Sequence, residues 1–145
     1  MIAIGSDHGG FELKEEIKKY LTEKGYEVKD FGVATPDSVD YPDIAHPVCS
    51  SIVNGECDRG ILICGTGIGI SIAANKVKGI RAALCGDCYS AKMTKEHNNA
   101  NVIALGGRVT GPGLAIEIVE AWLGAEFQGG RHQGRIDKIH ALEGK

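Results

Sequence analysis

Residues 60–71 read Gly-Ile-Leu-Ile-Cys-Gly-Thr-Gly-Ile-Gly-Ile-Ser, and they indicate the architecture of the whole chain. The unbroken apolar run Gly60–Cys64 predicts a strand that is covered on both faces, as in a parallel sheet. Gly65, Gly67 and Gly69 follow it and open a helix that we predict over 67–77. A buried strand that turns directly into a helix is typical of α/β proteins.

Strand and helix alternate along the rest of the chain as well. The other predicted strands are Met1–Gly5, Tyr26–Phe31, Ile80–Cys85 and Val102–Leu105. The other predicted helices are Phe11–Lys24, Ile44–Asn54, Asp87–Glu96, Leu114–Leu123 and Ile136–Leu142. This order predicts a Rossmann-like three-layer αβα sandwich around a five-stranded parallel sheet. We expect a single domain over residues 1–145, with a helical tail at about 130–145.

The composition excludes several classes of partner. The chain is 43% hydrophobic and 24% charged, with a formal net charge of −3. Because binding to nucleic acid or an acidic membrane needs clustered positive charge, we expect neither partner. No apolar run approaches the roughly 20 residues of a membrane span, and the start lacks the features of a signal peptide. The five scattered cysteines favour free thiols in a reducing compartment, so we expect a cytoplasmic protein.

The turn after Cys64 is the first candidate for chemistry, because ligands of such sheets bind beyond the carboxyl ends of the strands. Glycines let backbone N–H groups approach a ligand, and a helix start carries unpaired donors with partial positive charge. Such a turn binds an anion, and the same field favours the thiolate of Cys64. A thiolate there can remove a carbon-bound proton while the N–H groups hold the resulting enediolate.

Two other interpretations of this turn stay open on pattern alone. Cys64 could be a small core residue, since buried cysteines are common. The glycines could bind a dinucleotide, but that fingerprint has a third glycine where this chain has Ile70, and it normally follows the first strand.

Two polar segments also have two interpretations each. Asp7 and His8 follow the first strand and suit a sugar or a phosphate, although Ser6 or Asp7 would equally cap the next helix. Arg131 and Arg135 lie four residues apart near a helix start, where guanidinium groups either bind phosphate or form a solvated basic face.

His97 lies between a helix and the last strand, in a region that would otherwise be an ordinary helix C-cap. A helix-to-strand loop lies at the amino edge of the sheet, away from Cys64. If His97 is catalytic, we therefore expect it to reach the pocket of a neighbouring subunit.

Residues 85–88 read Cys-Gly-Asp-Cys, the spacing of many zinc and redox sites. A structural zinc site needs a second ligand pair at matching spacing, whereas Cys49 and Cys57 have seven residues between them. We therefore expect no metal and no redox role at this motif.

Six segments form a pattern that runs along the whole chain. They are Gly-Ser-Asp-His-Gly-Gly at 5–10, Asp-Tyr-Pro at 40–42, the Cys-Gly-Thr-Gly core within 61–75, Glu-His-Asn at 96–98, Gly-Gly-Arg at 106–108 and Gly-Gly-Arg-His-x-x-Arg at 129–135. In this order they resemble the B-type ribose-5-phosphate isomerases. That family also includes galactose-6-phosphate and allose-6-phosphate isomerases.

The resemblance implies an aldose–ketose isomerase that interconverts ribose 5-phosphate and ribulose 5-phosphate, a step of the pentose phosphate pathway. Cys64 would move the proton between C1 and C2, Thr66 would help with the enediol oxygens, and His97 would open the furanose ring. The implied substrate-binding residues are Asp7 and Tyr41 along the sugar, Asn98 beside His97, Gly65, Gly67 and Gly69 at the enediolate, and His8, Arg108, Arg131 and Arg135 at the phosphate.

The resemblance further implies no cofactor and no metal, and a homodimer or dimer of dimers whose pockets draw on two subunits. Some family members use a glutamate base further along the loop. This chain has Ser71 and Ala73–Asn75 there and keeps Cys64, so it resembles the cysteine subclass. Two alternatives remain: an isomerase of a six-carbon sugar phosphate (allose 6-phosphate or galactose 6-phosphate), and a non-catalytic sugar-phosphate-binding module on the same fold.

Overall fold

A five-stranded sheet organises the computed structural model, which describes residues 1–144. All of its strand pairs are parallel, in the order β2-β1-β3-β5-β4. The strands are β1 (Ile2–Ser6), β2 (Val28–Asp30), β3 (Arg59–Cys64), β4 (Ala82–Leu84) and β5 (Val102–Gly106). The helices are α1 (Phe11–Glu23), α2 (Tyr41–Val53), α3 (Ile68–Ala74), α4 (Cys88–Asn98), α5 (Pro112–Leu123) and α6 (Arg131–Ala141), and a short 3-10 turn covers His8–Gly10.

Alternate side chains of the central strands enter two separate hydrophobic layers, because successive residues of a strand point to opposite faces. Ile61 and Ile63 of β3 join the layer that includes Trp122 of α5 and residues of α1 and α4. Leu62 and Cys64 join the layer formed with α2 and α3. The predicted three-layer αβα sandwich with a five-stranded parallel sheet is therefore confirmed.

The chain reverses direction across the sheet between β1 and β3. From β1 it passes through α1 to the edge strand β2, and α2 then carries it back to β3 on the other side of β1. At such a switch point the loops leave the sheet in opposite directions and open a crevice at the carboxyl ends of the strands. The crevice lies between the residues that follow Ser6 and those that follow Cys64.

Several element boundaries differ from the sequence-based expectation. The third helix was expected at 67–77 but covers only Ile68–Ala74, because Gly67 is left-handed (φ 81°) and the Asn75 side chain pairs with both backbone groups of Ala82. The fourth strand was expected at Ile80–Cys85 but pairs with β5 only over Ala82–Leu84, at the sheet edge.

Three helices begin earlier than expected, and two of the three carry site residues. Helix α5 begins at Pro112 rather than Leu114. The second helix was predicted from Ile44 but begins at Tyr41, since Pro42 in the first turn needs no hydrogen-bonded N–H and has a helical φ. The tail helix was predicted from Ile136 but begins at Arg131, directly after the left-handed Gly130 (φ 59°). The shifts of α2 and α6 place site residues at helix starts rather than in loops.

Candidate active site

Cys64 is the last residue of β3, and the turn into α3 wraps around its sulfur. The backbone N–H of Gly67 donates a hydrogen bond to Sγ over 3.1 Å. A left-handed backbone at Gly67, which glycine adopts without strain, allows the turn to close this far. The residue is 5% exposed, and Thr66, two residues further on, is exposed, so the thiol lies just beneath the protein surface. An N–H that points at sulfur stabilises negative charge there.

Three loops meet around this turn at distances that only glycine permits. A Cβ atom on Gly9 would lie 3.0 Å from the Gly65 nitrogen, and one on Gly107 would lie 2.6 Å from the Gly9 oxygen. These contacts join the loops after β1, β3 and β5. They bring the neighbours of those glycines, His8 and Arg108, to the same rim as Cys64.

Arg108 and Tyr41 flank the turn. A Cβ built on Gly65 would lie 3.2 Å from Nη1 of Arg108, so the guanidinium covers the start of the turn. A Cβ built on Gly69 would lie 2.7 Å from Cζ of Tyr41, so the phenol packs against the first turn of α3. A cation and a phenol hydroxyl therefore lie at the two ends of the turn that follows the thiol.

Asp7 caps the 3-10 turn after β1, as one of its two interpretations anticipated. Its Oδ1 accepts a hydrogen bond from the Gly9 N–H over 2.9 Å, and within residues 1–144 no hydrogen bond involves Oδ2. His8 accepts a hydrogen bond at Nδ1 from the Val39 N–H over 3.3 Å. A neutral His8 therefore carries its proton on Nε2.

The other buried cysteines have no comparable environment. Burial raises the pKa of the Cys49 thiol to about 12. Burial, together with the charge of Asp87, raises that of Cys85 to about 11. Both thiols stay protonated at neutral pH and are core residues. All five cysteines are free, and among residues 1–144 no three His, Cys, Asp or Glu side chains are grouped to hold a metal ion.

The remaining predicted site residues lie elsewhere in the same chain. Helix α4 starts at the carboxyl edge of the sheet and its 11 residues carry the chain about 16 Å toward the amino edge. His97, near its end, is therefore remote from the Cys64 of its own chain, as the topology predicted. We call His97, Asn98, Arg131, His132 and Arg135 the α4–α6 cluster, and the residues around Cys64 the carboxyl-edge cluster.

The α4–α6 cluster is organised by a contact that sequence reasoning missed. The imidazole rings of His97 and His132 stack with centroids 4.4 Å apart and an interplanar angle of 11°. Burial of His132, and then the charges of His97, Arg131 and Arg135, lower the pKa of the His132 ring. Arg131 and Arg135 are exposed one helical turn apart. In the sequence, only the position of His132 between Arg131 and Arg135 could have indicated that its ring belongs to this cluster.

A groove of about 650 Å³ runs beside this cluster. Its lining comes from the segment between α3 and β4, the start of β4, α4 and the C-terminal segment, and includes Asn75, Arg81, Asn98, Ile139 and Leu142. None of the helices within residues 1–144 combines the length and the apolar character that crossing a bilayer requires.

Comparison with known proteins gives matches over nearly the whole chain. A model of the ribose/galactose isomerase family matches residues 2–139. Ribose-5-phosphate isomerase B of Escherichia coli is 54% identical over 98% of this chain and 95% of that protein. The D-erythrulose-4-phosphate isomerase of Pectobacterium atrosepticum is 52% identical over 98% and 94%. The solved structure of Clostridium thermocellum ribose-5-phosphate isomerase B superposes with a TM-score of 0.97 at 60% identity, covering 98% of this chain and 96% of that one.

Proposed function

The chain belongs to the ribose/galactose isomerase family, and we propose that it interconverts ribose 5-phosphate and ribulose 5-phosphate with Cys64 as the base. Membership makes it an aldose–ketose isomerase of sugar phosphates, and its full-length identity of 54% to a ribose-5-phosphate isomerase B supports the pentose substrate. The observation that carries the catalytic assignment is the hydrogen bond from the Gly67 N–H to the Cys64 sulfur at the start of α3.

The reaction begins with ring opening. His97 donates a proton to the furanose ring oxygen while the bond from that oxygen to C1 breaks. The C1 hydroxyl releases its proton to solvent water, which leaves the aldehyde, and His97 regains a proton from solvent. The Cys64 thiolate then removes the C2 proton, and the C–H electron pair forms the C1–C2 double bond of an enediolate. The oxygens exchange a proton, and the Cys64 thiol returns its proton to C1 to give the ketose. No step needs a cofactor or a metal.

Backbone groups at the head of α3 stabilise the enediolate. Gly65, Gly67 and Gly69 leave the N–H groups open to the developing negative charge, and Thr66 carries a hydroxyl beside them. Asp7 and Tyr41 bind the sugar hydroxyls. These groups are fixed before the substrate arrives, because the loops that carry them pack at glycine-only distances.

The two clusters would form one pocket if two copies of the chain assemble. Next to Cys64, a patch of large apolar side chains faces outward: Ile68 is 51% exposed, Ile72 57% and Leu84 45%. Ile68 and Ile72 lie four residues apart on α3 and therefore share a face, while Leu84 contacts Gly67. A contiguous apolar patch of this kind favours a protein interface. We propose a homodimer, or a dimer of such dimers, in which the patch is covered by the second copy.

In this dimer the α4–α6 cluster of one copy serves the carboxyl-edge cluster of the other. His97 and Asn98 would approach the sugar ring from the partner, and Arg131 and Arg135 would join His8 and Arg108 around the phosphate. Phosphate bound by several cations supplies binding energy away from the reacting carbons, which orients C1 and C2 toward Cys64. We also propose that the chain acts as a single domain in the cytoplasm, where phosphorylated sugars are made and used.

The preferred sugar is tested by turnover on four-, five- and six-carbon aldose phosphates. We expect the highest kcat/KM with ribose 5-phosphate. The similarity to a D-erythrulose-4-phosphate isomerase is the reason to include the four-carbon substrate, and the breadth of the family is the reason to include allose and galactose 6-phosphates. A higher kcat/KM with a four- or six-carbon substrate would reassign the substrate but not the chemistry. Binding without turnover of any of them would make the chain a sugar-phosphate-binding module.

A further inference from the structure

Arg81, the residue before β4, binds the end of the helix that carries His97. Its Nε donates hydrogen bonds to the carbonyls of Asn98 (3.2 Å) and Asn99 (3.1 Å), and its Nη2 donates to Asn99 over 2.8 Å. The last carbonyls of a helix have no partner within the helix and carry partial negative charge. One guanidinium therefore neutralises and fixes the C-terminus of α4.

The same guanidinium also binds the last turn of α6. Nη1 of Arg81 lies 2.9 Å from Nε2 of His140. Because arginine only donates, Nε2 accepts, and His140 carries its proton on Nδ1, which lies 2.7 Å from a carboxylate oxygen of Glu143. Glu143 in turn accepts a hydrogen bond from the Gly79 N–H over 3.1 Å.

Helix α6 is thus attached to the end of α4 at two points. Near its start, the His132 ring stacks on His97, and near its end, His140 is hydrogen-bonded to Arg81. Helix α4 ends at Asn99 in a left-handed conformation (φ 45°, ψ 46°) that asparagine adopts readily at helix ends, and the bonds from Arg81 hold the Asn99 carbonyl in place. Lys95 adds a hydrogen bond to the Asn99 side chain.

We propose that Arg81 is a positioning residue for ring opening, because its hydrogen bonds fix the backbone of the His97–Asn98 segment at the end of α4. This inference rests on the proposed function, since Arg81 acts through His97. An arginine is required because its planar fork reaches acceptors on two elements at once. A lysine at this position supplies the charge but cannot span both helices.

The experiment compares two rates in Arg81→Lys and Arg81→Met. The first is turnover of ribose 5-phosphate at saturation, which requires ring opening. The second is exchange of the C1 hydrogen of ribulose 5-phosphate with solvent deuterium at saturation, which requires only the Cys64 step because this ketose has no furanose ring to open. Dividing one rate by the other removes any effect of partial unfolding, so the test works even if a variant folds poorly.

We expect aldose turnover to fall about tenfold in both variants while ketose exchange stays within about twofold of wild type, as misplacement of an acid group predicts. His97→Asn run in parallel should show the same selective loss. Arg59→Met is the matched control: Arg59 is also an arginine at the amino edge of the sheet, but its guanidinium lies over the Tyr26 ring and near Asp58, and among residues 1–144 it donates no hydrogen bond to α4. Its ratio of the two rates should equal that of wild type.

Equal losses of both rates in the Arg81 variants, or no loss of either, would overturn the positioning role while His97→Asn still supports the proposed function. If His97→Asn itself shows no selective loss, ring opening by His97 is wrong and the role of Arg81 falls with it.

Discussion

Cys64 and Gly67 depend on each other at the scale of single residues. The thiol accepts its hydrogen bond from the Gly67 N–H, and the left-handed backbone of Gly67 turns the chain from that point into α3. A Cβ at this position would lie 2.6 Å from a Leu84 methyl and 2.8 Å from the Leu105 carbonyl carbon. The glycine is therefore needed both for its backbone angle and for the missing side chain.

Gly67→Ala should lower both stability and activity. The strained backbone and the contact with β5 predict a loss of about 1–3 kcal/mol in the free energy of unfolding. Because the substitution also displaces the N–H that bonds to the Cys64 sulfur, kcat should fall by more than the loss of folded protein explains. Urea unfolding and steady-state kinetics measure the two effects.

Gly113→Ala is the control for this prediction. Gly113 lies in the first turn of α5 with open space around it, so alanine should keep or slightly raise stability. A Gly67→Ala protein as stable and active as Gly113→Ala would show that the turn does not need its left-handed glycine.

The turn at Cys64 was predictable from residues alone, because its geometry is local, whereas Tyr41 and Arg108 were expected only from the family resemblance. The strand-to-helix turn at Cys64 places the thiol beside its own glycines over a few residues of chain. The contact between His97 and His132 was not predictable in the same way. It joins two helices 35 residues apart, and no local pattern specifies which faces of two helices will meet.

At the scale of elements, a buried ion pair joins α1 to the strand β2. The fully buried Lys14 of α1 donates to both carboxylate oxygens of Asp30 at 3.0 and 2.8 Å and to the Val33 carbonyl at 2.6 Å. Asp30 also accepts from the Gly32 N–H and from Lys18. The chain after β2 leads to Val39, whose N–H fixes His8. This pair therefore supports one rim of the site.

The charge of Asp30 makes this support dependent on pH. Burial acts to raise the pKa of this carboxyl, but the hydrogen bonds from Lys14, Gly32 and Lys18 outweigh it and the net pKa is lowered. A carboxyl whose pKa is lower in the folded state stabilises the protein above its unfolded pKa of about 3.9. That contribution is lost as the pH falls through the folded pKa.

Asp30→Ala should therefore cost about 3 kcal/mol of unfolding free energy at pH 7, because it leaves the Lys14 ammonium buried without its carboxylate. The difference in unfolding free energy between this variant and the wild type should shrink as the pH falls below about 4, because Asp30 of the wild type then becomes protonated. Chemical unfolding at several pH values measures it.

Glu56→Ala provides the comparison for the same measurement. Glu56 pairs with Lys29 at an exposed site, so its loss should cost less than about 1 kcal/mol at any pH. A cost for Asp30→Ala that equals that of Glu56→Ala, or that does not change with pH, would contradict the account of the buried pair.

The order and type of the elements could be predicted because alternating apolar strands and amphipathic helices are visible in the sequence. Their ends could not always be predicted. The end of α3 depends on Asn75 bonding across to Ala82, and the length of β4 depends on how far β5 extends beside it. Both are tertiary contacts, which override local preference at the boundaries.

At the scale of the whole molecule, we propose that each chain holds two half-sites and that each half-site is completed by a second copy of the chain. His97 lies on the order of one helix length from the Cys64 of its own chain. The apolar patch of Ile68, Ile72 and Leu84 borders the carboxyl-edge cluster. The dimer is therefore required for catalysis in this account, and not only for stability.

Mixing two inactive variants tests this directly. In a mixed dimer of Cys64→Ala and His97→Asn, one pocket carries both substitutions and the other carries neither. With random exchange half of the dimers are mixed, so the ribose 5-phosphate activity should recover to about a quarter of the wild-type rate per protomer. Activity is measured before and after unfolding and refolding the two variants together.

Recovery should be absent when either variant is refolded alone. Tagged subunits show whether the co-refolded mixture contains mixed dimers. If mixed dimers form but the mixture stays as inactive as its components, each pocket takes Cys64 and His97 from the same chain. The shared site would then be wrong.

Exchange of the ketose C1 hydrogen by a Cys64→Ala variant measures the role of the thiol most directly. It isolates proton transfer from ring opening, and thermal stabilisation by ribulose 5-phosphate shows whether the variant still binds. Cys88→Ala, which removes a half-buried thiol at the start of α4, is the control and should exchange at the wild-type rate. We predict that the Cys64→Ala protein is stabilised by the ketose and incorporates no deuterium above the uncatalysed rate. Deuterium incorporation near the wild-type rate would show that another group moves the proton.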